Sequence, residues 1–355
     1  MYDAVILVSF GGPEGPDDVM PFLRNVTRGR GIPEQRLAVV AEHYQHFGGV
    51  SPINAQCRDL LARLRPVLDE AGITLPLYWG NRNWHPMLAD TVARMRDDGV
   101  RRALAFVTSP FGSFSSCRQY LDDIEAARSA VGPGAPEIDK IRHYHDHPGY
   151  VRPHADAVRE ALRSLSDVDG PTGTAGGDPA SLGDPEAVRL VFTAHSIPST
   201  MDETSGPDGH RYTAQLRETA ALVAQAAAPG LPWDLVWQSR SGPPQQPWLE
   251  PDINDHLATL AQQGVTGVVV SPIGFSSDHL EVVWDLDTEA AATAARLGLR
   301  FARAATPGND PRFVAMVRDL IQERLDPAAP RARLGSVPVW DACPVGCCRP
   351  PARPA

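Results

Sequence analysis

The chain is poor in lysine: Lys140 is the only one, and every other basic residue is an arginine. It has no apolar run of about 18 residues or more, so no segment reads as a membrane-spanning helix. Cationic excess is missing too. Lys and Arg number 33 against 43 Asp and Glu, a net charge of −10, and nucleic acid, whose phosphates call for a basic face, is excluded as a partner. The opening MYDAVILVSF has neither a basic n-region nor a small-residue cleavage site. It is expected to be a first strand and not a signal peptide, with the cytoplasm as the default compartment. No GxGxxG occurs, and the lone lysine does not precede Ser or Thr, so the glycines of Phe10–Pro16 are not a nucleotide-phosphate loop. The five cysteines are an odd count, which in a cytoplasmic chain points to a metal or free thiols and not to a disulfide framework.

What is present describes a globular protein of two domains. The 355 residues are 43% hydrophobic and 21% charged, enough for a substantial core. Short runs of branched apolar residues at Ala4–Ser9, Leu75–Trp79 and Arg102–Thr108 alternate with helical stripes. The pattern resumes at Val188–Phe192, Asp234–Gln238, Val265–Val270 and Phe301–Ala305. This alternation predicts α/β architecture with parallel, Rossmann-like sheets covered on both faces, twice over, and an active-site cleft between them. The expected division is an N-terminal α/β domain over 1–148 and a C-terminal α/β domain over 149–310 that carries the metal-site residues. A closing helix over 311–328 and a cysteine-containing tail over 329–355 follow. Asp167–Pro185, rich in Gly, Pro, Asp and Ser, reads as a surface insertion.

Val188–Phe192 is almost continuously apolar, as a strand enclosed on both faces would be. Thr193–Pro198 is expected to be the loop at its carboxyl end, where open α/β sheets place their ligands, with His195 at the tip. Alone, that histidine reads as structural more readily than chemical. A second stretch, Gly274–Asp287, changes the balance. It leaves a buried strand and turns into a helix on which Glu281, Asp285 and Glu289 fall at i, i+4 and i+8. Like charges at that spacing destabilise a helix by ~0.2–0.5 kcal/mol per pair. The bland alternative is an acidic solvated face; the chemical one is a path of carboxylates for a divalent cation. One imidazole facing one carboxylate can hold Fe²⁺ or Zn²⁺ with positions left open, and is too sparse for a structural zinc site.

Other clusters divide less sharply. Arg24, Arg28 and Arg30 surround a polar loop that serves equally as a solvated turn or an anion site. His43-Tyr44 and Phe47–Pro52 form a turn into a helix whose stripe includes Cys57, and Cys117 shares a face with Leu121 and Ile124, so both thiols read as core. Tyr120 falls off that second stripe. His143–His147 (HYHDH) reads as a domain crossover and not a metal site.

Taken together, LVSFGGPEGP, HFGGVSPIN, GNRNW, FTAHSIP, WQSRSGPPQQPWLEP and PIGFSSDHLEVVWDLD resemble the ferrochelatase family, and within it the actinobacterial, coproporphyrin-type enzymes, from residue 4 to about residue 325. The resemblance implies a porphyrin cleft between two chelatase-like domains, with Fe²⁺ as substrate inserted into coproporphyrin III in haem biosynthesis. It implies His195 and Glu281 facing the porphyrin centre and Asp285 and Glu289 as outer metal carboxylates. Ser51, Tyr120, Tyr44, Arg28 and Phe10 fall at porphyrin-contacting positions. Phe10 stands where some relatives have a tyrosine, so a phenolate ligand is absent there. The tail resembles a segment carrying a [2Fe–2S] cluster, yet supplies only Cys343, Cys347 and Cys348. Ser205 stands where some cluster-bearing relatives have a cysteine. Either Cys117 or Cys57 completes the set, a non-cysteine ligand does, or the thiols are free. A downstream coprohaem decarboxylase is an implied partner. The competing readings are insertion into protoporphyrin IX, a cobalt chelatase with more than one histidine at the metal, and a porphyrin or haem carrier without turnover.

Overall fold

The computed structural model describes residues 1–29, 31–167, 187–242 and 245–350. Arg30 and the expected insertion beyond Asp167 lie outside them. The first sheet joins β1 (Ala4–Ser9), β2 (Leu77–Asn81), β3 (Arg102–Val107) and β4 (Glu137–Lys140). The second joins β5 (Val188–His195), β6 (Trp233–Gln238), β7 (Gly267–Ser271) and β8 (Arg300–Arg303). Strand orders are β2-β1-β3-β4 and β6-β5-β7-β8, and every pairing is parallel. The two halves therefore repeat one topology with no evident sequence repeat. In both, the strand order reverses beside the first strand, which makes the ends of β1/β3 and β5/β7 the places where a ligand fits.

Between the sheets lies one continuous core. Leu7 and Phe106 of the first sheet and Leu190 and Phe192 of the second belong to it, joined by α3 (Ile53–Glu70), α6 (Pro148–Asp167), α8 (Arg211–Ala227) and α12 (Pro311–Leu325). Phe106, Tyr144, Tyr150 and Phe313 pack with ring centroids 5.1–6.4 Å apart, the separations at which aromatic pairs add to burial. The opposite faces are closed by separate clusters around Val92 and Val268. Among the described residues no helix is long and apolar enough to cross a membrane.

Several elements differ from the sequence expectation. Residues Glu34–His46 form a helix, α2, that contains His43 and Tyr44; only Leu37 and Ala41 are buried on it, so its stripe is faint. Arg24 lies on α1 (Val19–Val26) and pairs with Glu34, so it is not part of a free arginine loop. Tyr120 is buried at 5% exposure with Ile124. The preceding residues Phe114–Arg118 are wound as a π-helix, and on α5 (Gln119–Val131) the buried face is Tyr120, Ile124 and Ala127, at i, i+4 and i+7, with Leu121 half-buried beside it. His195 is the last residue of β5 and not a loop tip, because pairing with β6 continues through Ala194↔Trp237 and His195↔Gln238.

After α12 the chain returns across both halves as a strap. Arg142, from the segment between β4 and α6, makes a two-pronged bond to Glu323 at 2.7 and 2.8 Å, both side chains 1% exposed. Arg333 bonds Asp146 at 2.7 Å, and the amides of Ser336 and Val337 donate to Glu218. His145, Asp146 and Glu218 come within 4.8 Å of one another. Their bonds hold the strap, in keeping with a crossover in HYHDH.

Candidate active site

The loop after β7 folds back over the end of β5. Gly274 donates to the Thr193 carbonyl at 3.0 Å, and a Cβ at Gly274 would stand 2.6 Å from that of Ala194, so only glycine lets the two chains meet there. Ser276, two residues on, donates to the Thr108 carbonyl at the end of β3 at 3.0 Å. That contact sets the two carboxyl edges against each other.

Glu281 lies in the short helical turn α10 (Leu280–Val282), which runs into a π-helical stretch, Val283–Ala290. Its Oε1 is 3.8 Å from His195 Nε2, and the two side chains are 43% and 35% exposed. His195 Nδ1 bonds the Ser196 carbonyl. A carbonyl only accepts, so Nδ1 carries the proton and Nε2 presents a lone pair toward Glu281. Burial among the surrounding walls lowers the His195 pKa, against the pull of the Ser196 carbonyl and of Asp285. The ring is neutral at pH 7.

The carboxylates are pushed the other way. Loss of water raises Glu281 to about 7. Asp285 rises to about 7 through burial and the nearby Glu281 charge, although Ser239 Oγ donates to it and Gln238 adds a bond at 3.3 Å. Two acids with midpoints near neutrality titrate as a pair, able to hold a cation when ionised and to take up a proton when not. Glu289 is exposed; it accepts from the Trp284 indole at 2.9 Å and raises Asp285 electrostatically. Glu281 and Asp285, by contrast, are half-buried.

The other expected residues lie on or beside elements of the N-terminal half. Tyr44 packs on Phe22 at 5.9 Å, and burial plus the Glu281 charge raise its phenol. Ser51 is buried behind Gly12, where a Cβ would approach it to 2.6 Å. Phe10 is 38% exposed and stacks edge-on to Phe22. Arg82, paired with Asp123, covers the Tyr120 ring at 4.5 Å. Arg28 is exposed on the turn after α1.

Two site residues escaped the sequence reading. His279 caps the turn before Glu281, and burial and the neighbouring His195 lower it to about 4. Ser239 holds Asp285 from a left-handed conformation, φ 63°, uncommon for a non-glycine residue and typical of functional loops. Both sit inside motifs already quoted, SSDHLEV and WQSRSG, but only tertiary contact gives them roles.

The cysteines gather elsewhere, in a cavity of about 470 Å³ where the tail crosses the first half, lined also by Lys140 and His143. Cys117 is buried as expected, but not simply as core: it lines this cavity with Cys343, Cys347 and Cys348. The Cys347 sulfur is 3.6 Å from that of Cys348. The neighbouring Cys117 and Cys347 thiols lower the pKa of Cys343, favouring a thiolate. Cys57 stands apart, on α3 in the main core.

The ferrochelatase family profile matches residues 2–325. A coproporphyrin III ferrochelatase of Nocardia farcinica is 56% identical over 99% of this chain and 98% of that protein. Enzymes of the same name from Mycobacteroides abscessus and Streptomyces griseus are 54% identical (95% and 94% covered) and 52% identical (99% and 94% covered). Among solved structures, SirB from Bacillus subtilis with Fe³⁺ is 14% identical, with TM-score 0.48 over 91% of this chain and 95% of that one.

Proposed function

The chain belongs to the ferrochelatase family, and from that premise we propose that it inserts Fe²⁺ into coproporphyrin III to give Fe-coproporphyrin III in the cytoplasm. A coprohaem decarboxylase would then consume the product. The observation that carries the reading is the His195 Nε2 lone pair 3.8 Å from Glu281, beside carboxyls held near pH 7. Insertion releases two pyrrole protons for each Fe²⁺ taken up. His195 Nε2 accepts one, being neutral and oriented by Ser196. Glu281 and Asp285 displace water from the iron, and as the metal leaves them for the pyrrole nitrogens their raised pKa lets them accept the other proton. Glu289 is the outer end of that path. Tyr44, Ser51, Phe10, Tyr120 and Arg28 form the porphyrin-binding wall, Arg28 as a propionate partner. In the same reading 1–148 and 149–310 are the two domains, with 311–328 and 329–355 closing across them.

Coproporphyrin has four propionates where protoporphyrin IX has two and two vinyl groups, so a comparison of the two tests the substrate. The expected result is a kcat/KM at least tenfold higher with coproporphyrin III under anaerobic Fe²⁺. Equal or reversed rates would transfer the enzyme to protoporphyrin.

Cys117, Cys343, Cys347 and Cys348 suit a [2Fe–2S] cluster: four thiols line one cavity together with Lys140, and the Cys347 and Cys348 sulfurs are 3.6 Å apart. Such a cluster supplies one-electron chemistry, and no step of insertion depends on it. Anaerobically purified protein is expected to contain acid-labile sulfide with visible cluster absorbance, and Cys117→Ser to lose most of both while Cys57→Ser keeps them. Equal loss in the two variants would remove Cys117 from the ligand set.

A further inference from the structure

The catalytic histidine and the cysteine cavity are joined by a short chain of buried contacts, and Tyr212 is its last link. Tyr212 is 5% exposed, and its hydroxyl donates to the backbone carbonyl of His195 at 2.9 Å. Its ring stacks on Trp237 at 6.0 Å, the residue of β6 preceding the one that pairs with His195. The Tyr212 amide in turn donates to Ser205 Oγ at 3.0 Å, and Ser205, fully buried, donates to the Asp202 carbonyl at 2.7 Å. The next amide, Gly206, donates to Cys348 Sγ at 3.2 Å. The tail grips the same turn from a second side: the Arg211 guanidinium lies 4.8 Å over the Trp340 ring and bonds the Pro338 carbonyl at 3.4 Å. A Cβ on Gly206 would stand 2.7 Å from that of Arg211, so the turn and the first residues of α8 are in contact with no slack between them.

We propose that Tyr212 is a positioning residue through which the cysteine site fixes the orientation of His195. The proposal rests on the cluster reading for what orders the tail. His195 ends its strand, so the peptide after it is held from one side by the Ser196 amide, which donates to the Gln238 carbonyl at 2.8 Å. The Tyr212 hydroxyl holds the other side. Together they set the backbone torsion from which the imidazole projects and the carbonyl of Ser196 that fixes its Nδ1 proton. Angular precision of this kind matters because a catalytic group displaced by about 1 Å loses up to ~10²-fold in rate. Cys348, whose Sγ accepts from the Gly206 amide, would hold that turn in place when the tail is ordered by a cluster; with the tail loosened, α8 would lose the anchor of its first turn and Tyr212 its register on His195. Occupancy of the cysteine site thereby reaches the metal site without taking part in the reaction.

Tyr212→Phe deletes one hydroxyl and keeps the ring. The expected result is a fall of about tenfold in kcat with the porphyrin KM unchanged and faster hydrogen exchange at the Ser196 amide, since a group that only orients the base acts on the chemical step. Cys348→Ser is expected to lower kcat by a similar factor, and the double variant to be little worse than either single, because both cut one chain. A kcat within twofold of the parent in Tyr212→Phe, or two losses that multiply in the double variant, would overturn the proposal. Should Cys348→Ser fold poorly, exchange at Ser196 and the kcat of Tyr212→Phe decide alone. Absence of labile sulfide from the parent protein would refute the cluster, and the Tyr212→Phe result would still stand or fall by itself.

Discussion

His195→Ala is expected to lose ~10²–10⁴-fold in the rate of iron insertion, the range that a positioned general base supplies, while coproporphyrin III still binds with near-parental affinity. Nε2 is the one imidazole nitrogen free to take a pyrrole proton, because Nδ1 is committed to the Ser196 carbonyl. The proposed porphyrin-binding residues Tyr44, Ser51 and Tyr120 lie on other elements, which alanine at 195 leaves intact. Fluorescence titration gives the affinity and loss of free-base absorbance the rate. A variant that retains near-parental turnover would take the base role away from His195.

Glu281→Gln is expected to cost about 10²-fold or more in insertion and, at pH 8, to make the protein more resistant to heat. The two effects share one cause. Partial desolvation in the folded protein raises the Glu281 carboxyl, 43% of whose side chain stays exposed, to about 7, against about 4.3 in an unfolded chain. A raised carboxyl pKa contributes stability below the unfolded value that is lost as pH climbs through 7, where the folded state must bear the charge. Glutamine carries no charge, so its advantage is present at pH 8 and gone near pH 4, where both states of the parent are protonated. Calorimetric melting at the two pH values reads this directly. In the parent, activity runs opposite to stability: Fe²⁺ binding weakens as pH falls from 8 to 6 and protons occupy Glu281 and Asp285. A functional group kept at the expense of stability is the usual condition of an active site. Equal melting temperatures at pH 8 would show that water reaches Glu281 freely.

The residues proposed to carry the chemistry were legible because they sit at the ends of strong signals. The unbroken apolar run of β5 announces a buried parallel strand, and its end delivers His195; β7 and the carboxylate spacing after it deliver Glu281 and Asp285. Weak local signals failed. The α2 sequence EQRLAVVAEHYQH buries only two side chains, so its periodicity is faint. Strand β4, Glu137–Lys140, is an edge with charged residues, as exposed edges tend to be, and leaves no apolar run. Tyr120 was placed off the buried face because Cys117, Leu121 and Ile124 make an equally good helical stripe, whereas the face that α5 buries is Tyr120, Ile124 and Ala127. Long-range meetings left no trace at all. Nothing in the spacing of Cys117 and Cys343 says that they line one cavity, and the bonds from Ser239 to Asp285 and from Tyr212 to His195 exist only once the fold is assembled.

The central claim, that two acids and one imidazole between the sheets place iron in a porphyrin, is tested most directly by a single-turnover experiment. Protein pre-loaded with coproporphyrin III is mixed anaerobically with Fe²⁺ and followed by visible absorbance. The account predicts that the free-base bands give way to those of the iron porphyrin in the parent protein and persist in His195→Ala. Free-base bands that persist in the parent, with the porphyrin still bound, would contradict it and leave a porphyrin carrier in place of an enzyme.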